Sequence, residues 1–510
     1  MNKIIISILI AFVGFSTSNA QDEQHNHSKG VCGTIDHTQI FERLERNKKS
    51  IREENKSIET IYLPIKFHRV GETNGSQKIL PSSILGMMCR LKDEMAAADI
   101  VPYIYEGFGE VDNSGIFYDP SSNASQIVGE KDPNAVNVFI TENASVGSGG
   151  GGTTLGYYSP NGDFVIVRKK EITDASGTLA HELGHFLSLP HTFFGWEGTN
   201  YSEEDHGNPL EITVLGNTQI ELVDRDENCE VAADRLCDTP PDFNFPFSAT
   251  DIDGNPLTNL ATSCGMNKDI FDSQNNLVVP MANNVMSYFD GCQEYMFTEQ
   301  QIELMEADFL SDEREHINTD YVPNTGVVEG EIVVETPEVE FYNSILFEWE
   351  ALENADFYAL EITNASGVFT YVTDTNQKLV TDLEPDEFYF YSISAFNETS
   401  SCVTSNSKPL QTNGEFTSVE TLEDLAEINV YPNPLRIGDE LIIDINSTES
   451  FQAQIQVMAL DGKVVKNMMD INVHTNDNSI KVNTDGVAAG MYLLQIKSSE
   501  GIFAKQIIVK

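Results

Sequence analysis

In the stretch beginning TIYLPIKFHRV, Ile61, Leu63, Ile65 and Phe67 alternate with more polar neighbours, the period of a strand with one face buried. A helical pattern follows over about 82–98, and apolar runs near 101–107, 136–141 and 163–167 predict further strands. Between the last two, GSGGGGTTLGYYSP predicts a glycine-rich turn leading into an edge strand around Leu155–Ser159. The next helix carries HELGHFLSLPH, from His181 to His191, and the chain is then loop-rich and acidic to about residue 282. Beyond roughly residue 318 the pattern becomes strand on strand. SILFEWEALENADFYALEIT and LEPDEFYFYSISAFN read as paired strands with Trp349 placed for a sandwich core, and IQVMALDGKVVKN near the end reads as a hairpin turning at Asp461 and Gly462. The pattern therefore predicts an α+β domain, a twisted mixed sheet with a histidine-bearing helix, followed by two all-β sandwich domains.

The ends and the composition narrow this further. Lys3, an apolar run from Ile4 to about Phe15 and small residues up to Ala20 form the pattern of a secretory signal peptide, too short to span a bilayer, so the mature chain is expected to begin near Gln21. No later segment is long and apolar enough to cross a membrane. A formal charge of −50 over 510 residues excludes a nucleic-acid partner, which needs basic surface, and is compatible with calcium or a basic substrate. The basic residues Arg43, Arg46, Lys48, Lys49 and Arg52 fall in a polar segment expected to be a detachable leader, cut between Arg46 and Lys56. Seven cysteines in an exported chain predict disulfides and one odd thiol: Cys229, Cys237, Cys264 and Cys292 cluster and allow two bridges in three connectivities, while Cys32, Cys89 and Cys402 stand apart.

The chemistry is concentrated in HELGHFLSLPH. His181 and His185 are four apart and share one helix face, so both imidazoles can meet one ion. His191 can join them only if the helix stops near Ser188 and the chain doubles back ahead of Pro190, which predicts a positive φ at Ser188 despite its Cβ. Three neutral imidazoles leave a fourth tetrahedral position to water, and Glu182 is placed to take that water's proton. About a hundred residues on, Met286 and Tyr288 stand in NVMSYFDGC, where the Tyr288 hydroxyl can stabilise an oxyanion. Asp290 there is a pointer to a basic residue after the scissile bond.

HELGHFLSLPHTF, CDTP at Cys237–Pro240, NVMSYFDGC and FTEQQIELM together resemble the pappalysin family of metzincin zinc peptidases over about 57–312. The resemblance implies His181, His185 and His191 as zinc ligands, Glu182 as general base, Met286 as the Met-turn and Tyr288 as an aid near the metal. It also supports Cys32, in VCGT, as a zinc ligand that keeps the proform latent; a disulfide, for instance with Cys89, is the other reading. Asp234 and Asp238, flanking CDTP, are candidate calcium ligands as in relatives, or surface acids. Ser188 departs from the family's glycine. Leu383, Pro385, Tyr389, Ile393 and Ala395 resemble a fibronectin type III domain, with the tyrosine at a corner. Tyr431-Pro432-Asn433-Pro434, the strand–DG–strand unit, Gly490-Met491-Tyr492, Lys505 and Lys510 resemble the type IX secretion C-terminal sorting domain of Bacteroidetes. The expected organisation is a signal peptide at 1–20, propeptide at 21–56, peptidase domain at 57–318, fibronectin-like domain at 333–413 and sorting domain at 428–510. The expected function is a secreted zinc endopeptidase acting on proteins or peptides, exported across the outer membrane through the type IX machinery. The alternative is a catalytically inactive surface adhesin or binding protein.

Overall fold

The computed structural model describes residues 30–34, 37–53, 60–144, 153–197, 199, 201–245, 264–266, 268–289, 291–334, 343–412, 422–459, 464–466, 470–498 and 501–510. The expected signal peptide, the glycine run before Thr153, Asp290 and the expected turn at Asp461 and Gly462 lie outside them.

A six-stranded mixed sheet organises the first half. Its strands are β1 (Gly30–Cys32), β2 (Ile61–Gly71), β3 (Ile100–Asp112), β4 (Val136–Thr141), β5 (Thr153–Ser159) and β6 (Phe164–Arg168), in the order β1-β5-β6-β4-β2-β3. Only the β5–β6 pairing is antiparallel. Every residue of β4 is buried, as a central strand covered on both faces requires. On one face Ile65, Val138, Ile140 and Val165 pack with helices α1 (Thr38–Glu53), α2 (Pro81–Ala96), α3 (Thr178–Phe186) and α4 (Glu299–Phe309). On the other, Phe139, Tyr157, Phe164 and Ile166 form a second core. Helix α3, which carries His181 and His185, lies against β5 and β6, so the metal-type residues sit beneath the sheet's edge.

The segment read as an exposed leader differs from expectation over Thr38–Glu53. It is an amphipathic helix whose Ile40 and Leu44 are fully buried in the main core, with Arg43 and Asn47 buried beside them. Its basic face meets acids: Arg46 pairs with Asp308 and Glu313, and Arg52 with Glu230, while the Lys48 ammonium donates to the Arg235 carbonyl. Cleavage between Arg46 and Glu53 would have to open this packed helix; residues 54–59 lie outside the described residues.

The second half is two sandwiches. In the first, β7 (Ile345–Glu348) pairs with β10 (Gln377–Val380), facing a sheet of β8 (Phe357–Asn364), β9 (Gly367–Thr373), β11 (Phe388–Phe396), β12 (Val403–Thr404) and β13 (Lys408–Gln411). Trp349 and Tyr389 are buried between the sheets, and the Tyr389 hydroxyl accepts from the Glu384 N–H at 2.8 Å, closing the corner. The last sandwich sets β14 (Ala426–Tyr431), β15 (Glu440–Ser447) and β19 (Asn476–Asn483) against β16 (Phe451–Ala459), β17 (Val464–Lys466), β18 (Asp470–Val473), β20 (Gly490–Ser498) and β21 (Gly501–Val509). Among the described residues no helix is long and apolar enough to cross a membrane.

The first sandwich is fastened to the sheet domain. Cys89 on α2 forms a disulfide with Cys402, the Glu361 carboxylate accepts from Ser82 N–H at 2.7 Å and Ser82 Oγ at 2.6 Å, and Ala359 and Phe396 join the main core. This corrects the expectation that Cys89 stands apart or pairs with Cys32. The 313 residues separating Cys89 from Cys402 give no local signal; docking of the two domains brings them together. Replacing Cys89 and Cys402 together by alanine is expected to lower stability by about 2–4 kcal/mol, read as a shift in the denaturant midpoint. An unmoved midpoint would mean the packed interface alone holds the two domains.

Candidate metal centre

Helix α3 ends as its sequence requires. Leu189 N–H donates to the Gly184 carbonyl at 2.9 Å and Ser188 N–H to the His185 carbonyl at 3.1 Å, the paired bonds of a Schellman turn, with Ser188 at φ 70°. The turn swings His191 back, so its ring centroid lies 4.6 Å from His185 and 5.2 Å from His181. Two guanidiniums, Arg43 and Arg314, donate to the Phe186 carbonyl at the helix's C-terminal end. Ser188 is fully buried, and its hydroxyl accepts from the Asn47 side-chain amide at 2.9 Å. Gly184 gives the Met286 sulfur its place beneath the helix: a Cβ there would stand 2.3 Å from that sulfur and would force the methionine side chain to move.

The outer nitrogen of each imidazole is engaged. Nδ1 of His181 faces the Val285 carbonyl at 2.7 Å, Nδ1 of His185 the Leu189 carbonyl at 2.7 Å, and Nδ1 of His191 the Glu197 carboxylate at 3.2 Å. These acceptors place the protons on Nδ1 and leave lone pairs on all three Nε2 atoms. Nε2 of His185 and His191 then face each other at 3.1 Å, and buried Nε2 of His181 has no hydrogen-bond partner. Burial lowers the His181 pKa to about 4 and holds His185 and His191 well below the usual range, so the rings are neutral. Facing lone pairs in a dry site repel unless a cation lies between them. With Cys32 Sγ, the ligand atoms lie within 4.8 Å of one another, a nitrogen-and-sulfur set that suits zinc.

Cys32 arrives on the sheet edge. Strand β1 runs parallel to β5, so the N-terminal segment pairs with the strand that was expected at the sheet edge. Among the described residues Cys32 is the only free cysteine, and its Sγ lies 3.4 Å from the Glu182 carboxylate. Thr34 Oγ1 reaches the same carboxylate at 3.4 Å, and Cys32 N–H donates to the Tyr288 hydroxyl at 2.8 Å. Burial, then the Glu182 charge, push the Cys32 thiol up, and burial pushes the Glu182 carboxyl up to about 8.

Asp234, just ahead of CDTP, and Asp238, within it, serve the loops. The buried Asp234 carboxylate accepts from Leu236 N–H at 2.9 Å and from Thr239 Oγ1, and Asp238 accepts from Thr298 Oγ1 and Gln300 N–H, both at 2.8 Å, at the start of α4. Neither belongs to a group of three or more ligand-type side chains within metal-binding reach among the described residues. The clustered cysteines pair as Cys229–Cys237 and Cys264–Cys292. Two supporting residues had no signal in the sequence. Glu197 orients His191, and Asp242 accepts from both Thr192 Oγ1, at 3.1 Å, and Ser287 Oγ, at 2.6 Å, tying the third histidine's neighbour to the Met286 turn. A carboxylate six residues after a histidine, or 45 before a serine, is one acid among 80.

Residues 429–510 match the secretion system C-terminal sorting domain. The chain is thus cargo of a Bacteroidetes-type type IX system and engages its machinery through this domain. A search of curated proteins returns no match. Among solved structures, the chain is similar to a fibronectin type III domain of human contactin 1, at 19% identity over 19% of this chain and 90% of that one, with a TM-score of 0.16. It is also similar to the FN5 domain of Drosophila Lar, at 21% identity over 18% of this chain and 99% of that one, with a TM-score of 0.15.

The positive φ at Ser188 makes a test. Ser188→Gly removes a Cβ penalty of roughly 1–2 kcal/mol but also the bond from Asn47, worth about 0.5–1.5 kcal/mol. Stability should therefore change little in the full chain and rise by about 1–2 kcal/mol once α1 is removed, measured by urea unfolding of both forms.

Proposed function

We propose that the chain is an exported zinc endopeptidase of the metzincin type, pappalysin-like, made in a latent form. The observation that carries this reading is the convergence of three buried, neutral imidazoles on one point with Glu182 and Tyr288 beside it. Zinc bound there supplies a Lewis acid and lowers the pKa of its water toward ~7.

The chain's own residues then have separate tasks. His181, His185 and His191 hold the ion through Nε2, each braced through Nδ1. Glu182, one residue after a ligand, takes the proton from the attacking water and delivers it to the leaving amine. The Tyr288 hydroxyl donates to the developing oxyanion. Strand β5 holds the substrate backbone by pairing with it. Gly184 and Met286 set the floor. In the latent chain β1 takes the substrate's place, the Cys32 thiol would add a sulfur ligand to the three imidazoles, and its N–H holds Tyr288. A non-catalytic binding protein would have no physical need for Glu182 in this position. Hydrolysis of a mixed peptide library, with and without a zinc chelator, tests the reading; no chelator-sensitive cleavage after removal of the N-terminal segment overturns it.

Glu182→Ala should retain zinc, measured by metal analysis, and lose at least the ~10²–10⁴-fold of general-base catalysis. Cys32→Ala should raise hydrolysis by the intact chain and speed self-cleavage. Ligation by Cys32 is read separately in the Glu182→Ala single variant, where thiol labelling of the intact chain should find Cys32 protected while zinc is bound and reactive after chelation.

A further inference from the structure

The opposite edge of the sheet carries a groove remote from the histidines. In the order β1-β5-β6-β4-β2-β3, strand β3 lies four spacings of about 4.8 Å from β5, so about 19 Å from the strand that borders the imidazoles. Between the pairs Ile65–Ile104 and Phe67–Phe108, β3 has Tyr105, Glu106 and Gly107 where β2 has Lys66 alone. This bulge needs left-handed backbone at Glu106, φ 48°, and Gly107, φ 68°, and it sets the exposed Glu106 along a groove between β3 and the first sandwich. The two walls meet where Ile104 N–H donates to the Glu398 carbonyl at 2.8 Å and the Arg69 guanidinium donates to Thr370 Oγ1 at 3.3 Å. The groove has a volume of about 810 Å³, within the roughly 300–1,000 Å³ of ligand sites.

Its lining is aromatic and acidic. The Phe396 ring lies 6.0 Å from Phe108 and 5.6 Å from Phe357, and Val372 and Phe357 are 45% and 39% exposed, apolar surface that neither domain covers. Three carboxylates, Glu106, Asp356 and Glu398, line the same space. Glu398 accepts from the Tyr321 hydroxyl and from Asn324 N–H, both at 2.7 Å, and Asp356 from the Asn324 side-chain amide at 2.7 Å, so two of the three are held in place. The bond to Glu398, then burial and the charges of Glu398 and Asp356, push the Tyr321 hydroxyl up to about 12. Among the described residues no lysine or arginine pairs with any of these three carboxylates, and the cation that lines the groove, Arg69, is already paired with Glu110 at 2.7 Å. An anionic partner would be repelled, and a purely apolar one would desolvate the carboxylates without a replacement contact. A basic residue beside an aromatic one matches both kinds of lining, its cation on the carboxylates and ring faces and its neighbour on Phe357, Phe396 and Val372. We propose that this groove docks a peptide segment of a partner protein in which lysine or arginine adjoins an aromatic residue, with Glu106, Asp356 and Glu398 receiving the charge. A second copy of this chain, at a net charge of −50, is a poor electrostatic match. The proposal does not rest on the peptidase reading.

The test is fluorescence anisotropy with the full chain in the Glu182→Ala background, where the probe stays uncut and β1 still covers the histidine site. The probe is the fluorescein-labelled peptide Gly-Lys-Phe-Arg-Phe-Gly. Saturable binding is expected, weakening with added salt and falling by about tenfold or more when glutamine replaces both basic residues or serine replaces both phenylalanines. Glu106→Gln combined with Asp356→Asn should weaken binding by a similar factor. Val372→Arg, at a position 45% exposed, places a guanidinium of the chain's own in the groove and should weaken binding too, with the urea midpoint unmoved. Absence of binding overturns the proposal, as does equal binding of the glutamine peptide. Binding that both variants leave intact puts the peptide elsewhere on the chain and also overturns it. Displacement of the probe by phenethylamine at the peptide's own affinity overturns a peptide as the occupant.

Discussion

Three buried imidazoles, their Nδ1 protons turned outward, aim Nε2 at one point, and the geometry around them follows from that constraint. Two can come from one helix face; the third requires the chain to reverse within a few residues. The reversal is bought with a positive φ at a residue that has a Cβ, and the surroundings hold it there. Paired backbone bonds close the turn, Asn47 binds the Ser188 hydroxyl, and Arg43 and Arg314 neutralise the carbonyl end of the helix. Beneath the helix the Met286 sulfur comes so close that any Cβ at position 184 would displace it. Above it, β5 carries the backbone of β1 across the site.

The N-terminal segment is accordingly part of the fold as well as a cover. It adds a strand to the sheet, a thiol to the imidazole cluster, a ring beside His191 and a helix to the main core. In a chain of net charge −50 its basic residues have an evident use, because the surface that α1 meets carries Glu230, Asp308 and Glu313. The same contacts imply that cutting the chain after α1 need not release it. Removal of Ile40 and Leu44 exposes apolar surface, which opposes dissociation at about 25 cal/mol per Å².

The first sandwich also belongs to the mechanical unit. A disulfide, a carboxylate at the start of α2 and shared apolar residues fix it to the sheet domain. The sorting domain has its own separate core, as a module read by the export machinery requires.

Local chemistry was legible in the sequence. The four-residue spacing of His181 and His185, the break at Pro190, the left-handed turn at Ser188, the alternation of the strands and the corner tyrosine each depend on neighbours within a few residues, where periodicity and φ preferences act. Contacts across the fold were not. That Cys89 meets Cys402, that Cys264 meets Cys292, that Glu197 and Asp242 among 80 acids brace the site, and that α1 is buried were decided by the packing of distant segments. Even α1's own pattern, Ile40, Leu44, Asn47 and Ile51, is a helix seam whose partner lies more than two hundred residues away on α4, and polarity alone made it look exposed. A sequence sets which groups can interact over a turn or a strand; which far-off group completes a charge, a sulfur or an apolar face depends on loop closure and packing, which only the assembled tertiary structure decides.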